Sequence, residues 1–310
     1  MTVMERIRAF VLPPGVGWAV QETRISLFMG RLFTVLAVIM VCIWCMKENV
    51  DDDKYLGGIE FYNHDKIFNL HPMCMVISML LCMGLSMTSF RDGWSFKVSK
   101  YLHLNFNLLA KVFMIVGLRS AYIYRNEPQG KNSEYHYQHF GTMHSWMGLT
   151  TSVLLFQQDL LGGLSFLYPR LCHIPRSFIK GYKEYHAIMG KASYIMAAIA
   201  MLTGIVAKNE HQSCVTPVSD IDQNPFDGYN HMAPGCQLST GLGLVIVISM
   251  FFMLFALRHP LTALRDSMGA GLSAPLLAAE IKTDDPQTPS LYTAPRAMVK
   301  ENSFDRKSFM

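Results

Sequence analysis

The stretch HPMCMVISMLLCMGLSMTSF, residues 71–90, begins with a histidine and contains no Asp, Glu, Lys or Arg. A helix needs about 20 mainly apolar residues to cross the hydrocarbon core of a bilayer, so this stretch predicts a transmembrane helix. A surface helix of a soluble protein keeps a charged or polar face. The strongly polar side chains of this stretch are one imidazole and small hydroxyls, which do not form such a face.

Five other stretches have similar length and composition. The whole chain has 310 residues, of which 51% are hydrophobic and 16% charged, whereas about a quarter are charged in soluble domains. Six apolar segments in series disfavour the alternative of a large soluble bundle. We therefore predict an all-α integral membrane protein with six transmembrane helices, at 29–46, 71–90, 101–124, 143–167, 185–207 and 238–257.

The charges between the predicted spans indicate the orientation of the chain. One short loop contains Lys97 and Lys100, and another contains Lys180 and Lys183, whereas acidic residues concentrate in 47–70 and 208–237. The positive-inside rule then predicts a multi-pass protein with both termini in the cytoplasm. Because topology already explains the basic residues, we predict no nucleic-acid partner.

The predicted domain organisation is one membrane domain with two tails. Residues 1–28 form a cytoplasmic segment, 29–260 the transmembrane domain, and 261–310 a cytoplasmic tail rich in Ser, Pro, Ala and charge. Such a composition predicts disorder in the tail. Cys214 and Cys236 bracket the last outer loop, and in an oxidising compartment they could form a disulfide.

Four histidines lie at the starts of four consecutive predicted spans. A polar group inside a span is costly and indicates a functional site. One histidine alone would be interpreted as a satisfied core residue, but four at comparable depths favour a shared role. These residues are His71, His103, His144 and His186.

The direction of each span predicts how the four histidines pair. Spans two and four run inward, which places His71 and His144 near the outer face. Spans three and five run outward, which places His103 and His186 near the inner face. Two facing imidazoles in a bundle core suit a bis-histidine haem, whereas zinc takes three or four ligands. We predict a four-helix core of spans 2–5 that holds two non-covalent b haems and transfers electrons. Besides the histidines, the residues predicted to bind the haems are Arg91, Asn107 and Arg119.

Three charged residues lie inside predicted spans. Arg119 is predicted to pair with a haem propionate. Lys111 shares a helix face with His103 and Asn107. An unpaired buried charge is expensive, so Lys111 is expected to pair with Asp159 or with a propionate, and the sequence leaves that choice open.

Several motifs resemble the cytochrome b561 family over about residues 29–260. The stretch 68–77, FNLHPMCMVI, is similar to the start of the family's second span. Residues 100–103, KYLH, followed by Asn107, are similar to the third. Residues 143–148, MHSWMG, resemble the family's Leu-His-Ser-Trp motif, and 158–169 match the end of the same span. His186 with Gly190 is similar to the fifth span.

This resemblance implies six spans in a lipid bilayer, two b haems and an oxidoreductase that moves electrons across the membrane. The family's usual donor is cytoplasmic ascorbate, and its acceptor is monodehydroascorbate or a ferric chelate. The resemblance also implies a possible homodimer. The membrane and the physiological acceptor stay open.

Ascorbate is an anion, so its site is expected to be basic and close to the inner haem. Lys100 matches a family lysine, and Lys97, Lys183 and Arg91 lie on the same side of the membrane. The positive-inside rule alone would also place these residues there. On the outer side, His139 could approach the haem edge, accept a proton or bind a ferric chelate, or it could be a surface histidine.

Two other functions remain open at this point. The chain could be the haem-bearing subunit of a larger electron-transfer complex, in which case a protein rather than ascorbate would reduce it. It could also be a non-catalytic haem-binding membrane protein, which would keep the histidines but lack rapid turnover.

Overall fold

The computed structural model describes residues 18–126, 140–167, 173–214, 229 and 232–259, without the side chains of 64, 65, 167, 176 and 180. The regular secondary structure of these residues is helical. The chain separates into two units, Met1–Gly271 and Leu272–Met310, and all of the described residues lie in the first. The predicted tail 261–310 and residue His139 lie outside the described part of the chain.

Six long helices, α1 to α6 in chain order, correspond to the six predicted spans. A short helical turn, His64–Ile67, precedes the second of them. One π-helical segment, Val76–Cys82, lies inside α2, and another, Gly163–Leu167, directly follows α4. The bounds are α1 Trp18–Met46, α2 Leu70–Arg91, α3 Phe96–Asn126, α4 Met143–Gly162, α5 Arg176–His211 and α6 Pro234–Ala256.

Five of these helices, all except α4, are long and apolar enough to cross a membrane. The chain is thus a multi-pass helical membrane protein. Helix α4 is the shortest of the six, with 20 residues, and polar side chains such as Gln157, Gln158 and Asp159 interrupt its apolar sequence. Its role as a sixth span stays a prediction.

Three helices begin five or more residues before their apolar segments. Helix α1 begins at Trp18, α3 at Phe96 and α5 at Arg176, whereas hydropathy predicts starts at 29, 101 and 185. The extra residues form helix but include charged side chains, so hydropathy excludes them. Hydropathy locates the bilayer rather than the ends of the helix.

The helices pack as neighbouring pairs. Helix α1 lies along α6, α2 along α3, and α4 along α5, while α2 and α6 also contact α5. In the α1–α6 pair, the Thr34 and Ser249 hydroxyls are 2.7 Å apart, and an added Cβ on Gly30 would lie 3.1 Å from Met253. The other two pairs and the α2–α5 contact form the core in which the histidines lie.

At one end of the bundle, the segments after α1 and after α5 are tied to the start of α6. Cys214 after α5 forms a disulfide with Cys236 in α6, with Cα atoms 5.6 Å apart. The Gly235 amide donates to the Asp53 carbonyl at 2.8 Å. The disulfide that the sequence suggested is therefore confirmed, and it joins the last two helices at this end.

Candidate functional site

The four histidines form two pairs, as the span directions predict. The ring centroids of His71 on α2 and His144 on α4 are 5.9 Å apart, with ring planes at 89°. Those of His103 on α3 and His186 on α5 are 6.1 Å apart, at 68°. All four residues are half-buried. We call the first pair the outer pair and the second the inner pair.

The separation within each pair suits two ligands of a single metal. An imidazole nitrogen lies about 2.0 Å from a transition metal that it binds. Two imidazoles on opposite sides of the metal then have ring centroids about 6 Å apart. Both pairs have this separation.

Backbone carbonyls of neighbouring helices orient both rings of the outer pair. The Nδ1 atom of His71 lies 3.0 Å from the Gly117 carbonyl oxygen on α3, and that of His144 lies 2.8 Å from the Ala200 oxygen on α5. A carbonyl only accepts, so Nδ1 is the protonated nitrogen in each ring. This tautomer leaves Nε2 free to bind a metal and fixes the ring direction, as is usual for metal-binding histidines.

Glycines allow the close approach that these hydrogen bonds need. An added Cβ on Gly204, one turn after Ala200, would lie 2.7 Å from Cε1 of His144. One on Gly117 would lie 3.1 Å from the Cβ of Cys74. A larger residue at Gly117 would push α2, and with it the His71 ring, away from the Gly117 carbonyl. A larger residue at Gly204 would push the His144 ring away from the Ala200 carbonyl.

In the inner pair, His103 is surrounded by a network of side-chain and backbone hydrogen bonds. Nδ1 of His103 donates to the Ser86 carbonyl at 2.9 Å, and the Ser86 hydroxyl donates to the His103 carbonyl at 2.9 Å. The Asn107 amide donates to the Ser86 hydroxyl at 2.8 Å and lies 3.3 Å from Nε2 of His103. Asn107, predicted to bind the cofactor, therefore lies directly beside the ring.

His186 is held by packing. Its Nδ1 is buried and has no hydrogen-bond partner among the described residues. The rings of Phe166 and Tyr182 have centroids 5.5 and 5.9 Å from its own, and an added Cβ on Gly162 would lie 3.1 Å from its Cε1. Within the described ranges, the Tyr182 hydroxyl and the Gln158 amide are also buried without a partner.

The two pairs lie at different depths along the bundle. The distance between the two depths is the same along α3 and along α5. Gly117 lies 14 residues after His103 on α3, and Ala200 lies 14 residues after His186 on α5. A rise of about 1.5 Å per residue puts the outer acceptors about 21 Å from the inner histidines. The pairs therefore form two layers that span much of a bilayer core.

Open space lies next to one histidine of each pair. Gly148 and Gly190 each come one helical turn after a histidine, and an added Cβ on either would meet nothing within 4 Å. In the described ranges, no group of three or more His, Cys, Asp or Glu side chains could hold a metal ion. The paired imidazoles, three of them with a tautomer fixed by a backbone carbonyl, and this space fit a b-type haem.

The predicted donor residues lie at the inner end of the bundle. Lys100 is half-buried, and its Nζ donates to the Phe166 carbonyl at 3.1 Å, which links α3 to the π-helical turn after α4. Lys97 and Lys183 are exposed. The guanidinium of Arg91 donates to the His259 carbonyl at 2.5 Å, so it contacts the chain just after α6.

The intramembrane charges have different surroundings. Arg119 is exposed, with its guanidinium 5.5 Å from the centre of the Tyr122 ring. Lys111 is buried, and its Nζ lies 2.5 Å from a carboxylate oxygen of Asp159. Of the two partners that the sequence left open for Lys111, the structure brings it to Asp159.

Ser86 and Gly204 are site residues that sequence reasoning did not identify. Ser86 lies 15 residues after His71 and Gly204 lies 18 after His186, which places each of them close to the opposite layer. A search for small residues 14 to 18 positions after each histidine on the same helix would have found both.

Comparisons with known proteins agree with this site. The family profile described as eukaryotic cytochrome b561 matches residues 70–211, a range that contains all four histidines. A probable ascorbate-specific transmembrane electron transporter of Oryza sativa subsp. japonica is 28% identical over 185 residues, covering 58% of this chain and 72% of the relative.

Two animal relatives match over a longer part of the chain. A lysosomal membrane ascorbate-dependent ferrireductase of Danio rerio is 27% identical over 224 residues, or 71% of this chain and 84% of the relative. A plasma membrane ascorbate-dependent reductase of Rattus norvegicus is 26% identical over 232 residues, or 71% of each.

Proposed function

This chain belongs to the cytochrome b561 family, and we propose that it carries electrons across a membrane from ascorbate through two b haems. It is an oxidoreductase, in keeping with the reductase names of its relatives. The single observation that carries the proposal is the arrangement of four histidines as two facing pairs in separate layers.

Each haem would have one histidine pair as its axial ligands. His71 and His144 would bind the outer haem, and His103 and His186 the inner one. When bound, haem supplies a one-electron couple whose potential depends on the ligands, the hydrogen bonds and the burial around it. The chain's own task is to hold the rings, fix their tautomers and exclude water from the two layers.

The proposed topology has six spans, including α4, with both termini in the cytoplasm. The basic short loops support this orientation. The Cys214–Cys236 disulfide supports it independently, because disulfides persist in oxidising compartments. It lies at the end of the bundle to which the outer pair is assigned.

The electron donor would bind next to the inner pair. Ascorbate carries one negative charge at neutral pH, so the exposed ammonium groups of Lys97 and Lys183 would attract it. Lys100 is linked to the inner layer, because its acceptor Phe166 packs on His186. We assign Lys100 a direct contact with the donor, and Arg91 a supporting role through the chain end after α6.

The acceptor would bind at the opposite end. Monodehydroascorbate and ferric chelates are the candidates that the family offers. His139 precedes α4 and the outer pair in sequence, and we assign it to the acceptor side. Arg119 keeps its proposed role as a propionate partner. A homodimer remains part of the proposal.

The test is the visible spectrum and haem content of the purified full-length protein, before and after addition of ascorbate. We expect about two low-spin haems per chain, reduced rapidly by ascorbate. His144→Ala and His186→Ala should each remove one haem. His211→Ala, an exposed histidine at the end of α5, should remove none. A chain that binds no haem would overturn the proposal.

The donor assignment has its own test. Lys100→Met should keep both haems but slow ascorbate reduction at least tenfold. Lys66→Met, in the short helical turn before α2 at the other end of the bundle, serves as the control and should leave the rate unchanged. Two haems that ascorbate leaves oxidised would instead favour a protein donor.

A further inference from the structure

The ion pair between Lys111 and Asp159 lies inside the helix bundle. Lys111 is only 8% exposed, and its Nζ lies 2.5 Å from Oδ2 of Asp159, whose side chain is 36% exposed. The pair joins α3 to α4. Two charges in such a place cost desolvation energy, and an apolar pair of similar size often gives equal or greater stability. Stability alone therefore does not account for this pair.

The pair is connected to the inner histidines through a chain of contacts. Nζ of Lys111 is 3.5 Å from the Asn107 carbonyl oxygen, and the Asn107 amide lies 3.3 Å from Nε2 of His103. On α4, Asp159 is three residues before Gly162, which contacts the His186 ring. Both charges therefore lie in the inner half of the bundle.

The direction of the Lys111 side chain decides the depth of its ammonium group. The Lys111 backbone lies between the two layers, eight residues after His103 and six before Gly117, or about 12 and 9 Å along α3. Helical side chains lean towards the N-terminus, and the contact with Asn107 shows that the lysine does so here. For α3, this direction leads from the outer layer to the inner one.

We propose that Lys111 and Asp159 act in opposite directions on the redox potential of the inner haem, so that each charge offsets the shift that the other alone would cause. The inference rests on the proposed function, because it requires a haem between His103 and His186. A positive charge near a haem stabilises the reduced form, which carries one more electron, and a negative charge stabilises the oxidised form. In the intact pair these two effects largely cancel. The sign of the small net shift in potential depends on which charge lies nearer to the iron.

The proposal predicts the direction in which each substitution shifts the redox potential of the inner haem. Lys111→Met leaves the carboxylate without its partner and should lower the inner potential. Asp159→Asn leaves the ammonium and should raise it. The double variant should return close to the wild-type value. We expect each single change to alter the ratio of reduced to oxidised inner haem about tenfold, which is about 59 mV for a one-electron couple.

The experiment is a spectroelectrochemical titration of both haems in the full-length protein, with haem content and thermal unfolding measured in parallel. The control is the exposed loop pair Lys66–Glu60, whose charged groups are 3.4 Å apart. Lys66→Met and Glu60→Gln should leave both potentials unchanged. The outer haem should respond less than the inner one to changes in the buried pair.

The outcomes separate this inference from the proposed function. Single variants that keep two haems but shift the inner potential in the same direction, or not at all, would overturn the inference alone. If Lys111→Met fails to bind haem, Asp159→Asn decides the sign: a raised potential supports the inference, and an unchanged or lowered one overturns it. A wild-type chain without haem would instead overturn the proposed function.

Discussion

The outer and inner histidine pairs have nearly the same ring separation, but they are held in different ways. Both outer rings donate to backbone carbonyls of a neighbouring helix. In the inner pair only His103 does so, while His186 is fixed by aromatic rings and a glycine. A backbone acceptor keeps its position as long as its helix does, whereas packing depends on every side chain around the ring.

The surroundings of the two pairs differ in polarity as well. Close to the inner pair lie Ser86, Asn107 and the Lys111–Asp159 ion pair. The outer rings contact backbone carbonyls and glycines. Redox potential responds to nearby charge and hydrogen bonding. The comparison therefore teaches that side chains hydrogen-bond with a histidine of the inner pair, whereas the outer histidines hydrogen-bond with the backbones of neighbouring helices.

The largest expected effect is at Gly204. The new methyl group of Gly204→Ala would lie 2.7 Å from Cε1 of His144 and 2.9 Å from its Nδ1, so the ring must leave its acceptor. We expect haem content to fall from about two per chain to about one. The measurement is haem quantification of the purified protein.

Gly181→Ala is the matched control, because Gly181 is also on α5 and an added Cβ there meets nothing within 4 Å. It should keep both haems. Full haem content in Gly204→Ala would show that the outer ring is not fixed by the close approach of α5.

A smaller effect is expected for the equivalent change at the inner pair. In Gly162→Ala the new methyl group would lie 3.1 Å from Cε1 of His186. That ring has no hydrogen bond to lose within the described structure, so it can shift by a few tenths of an ångström. We expect most of the inner haem to remain, with an altered low-spin electron paramagnetic resonance signal. A loss as large as that in Gly204→Ala would break the comparison.

The smallest effect is expected for Ser86→Ala. The backbone carbonyl that accepts from His103 is retained, while the buried hydroxyl and its bonds to His103 and Asn107 are lost. One net hydrogen bond contributes about 1 kcal/mol, so the free energy of unfolding should fall by about that amount. Both haems should remain, and the inner potential alone should change. Loss of the inner haem in this variant would mean that the hydroxyl, not the carbonyl, positions the ring.

Much of the fold could be predicted from the sequence. Apolar segments located the helices, and the alternation of span direction paired His71 with His144 and His103 with His186 before any distance was known. The disulfide required only two cysteines flanking one loop. These features depend on composition and order along the chain, which the sequence records directly.

Other features could not be predicted, for identifiable physical reasons. Every residue has a carbonyl, so nothing in the sequence marks Gly117 and Ala200 as acceptors. The partner of Lys111 depended on the rotation of α3 relative to α4. The starts of α1, α3 and α5 were predicted too late, because charged residues can continue a helix beyond the apolar segment.

The pairing of α1 with α6 has a consequence for biosynthesis. Among the described helices, α1 comes first in the chain and packs most extensively against α6, which comes last. The ribosome therefore delivers α1 before its principal neighbour. A nascent chain arrested after α5 would contain all four histidines but would lack the helix that packs on Gly30 and Thr34 of α1.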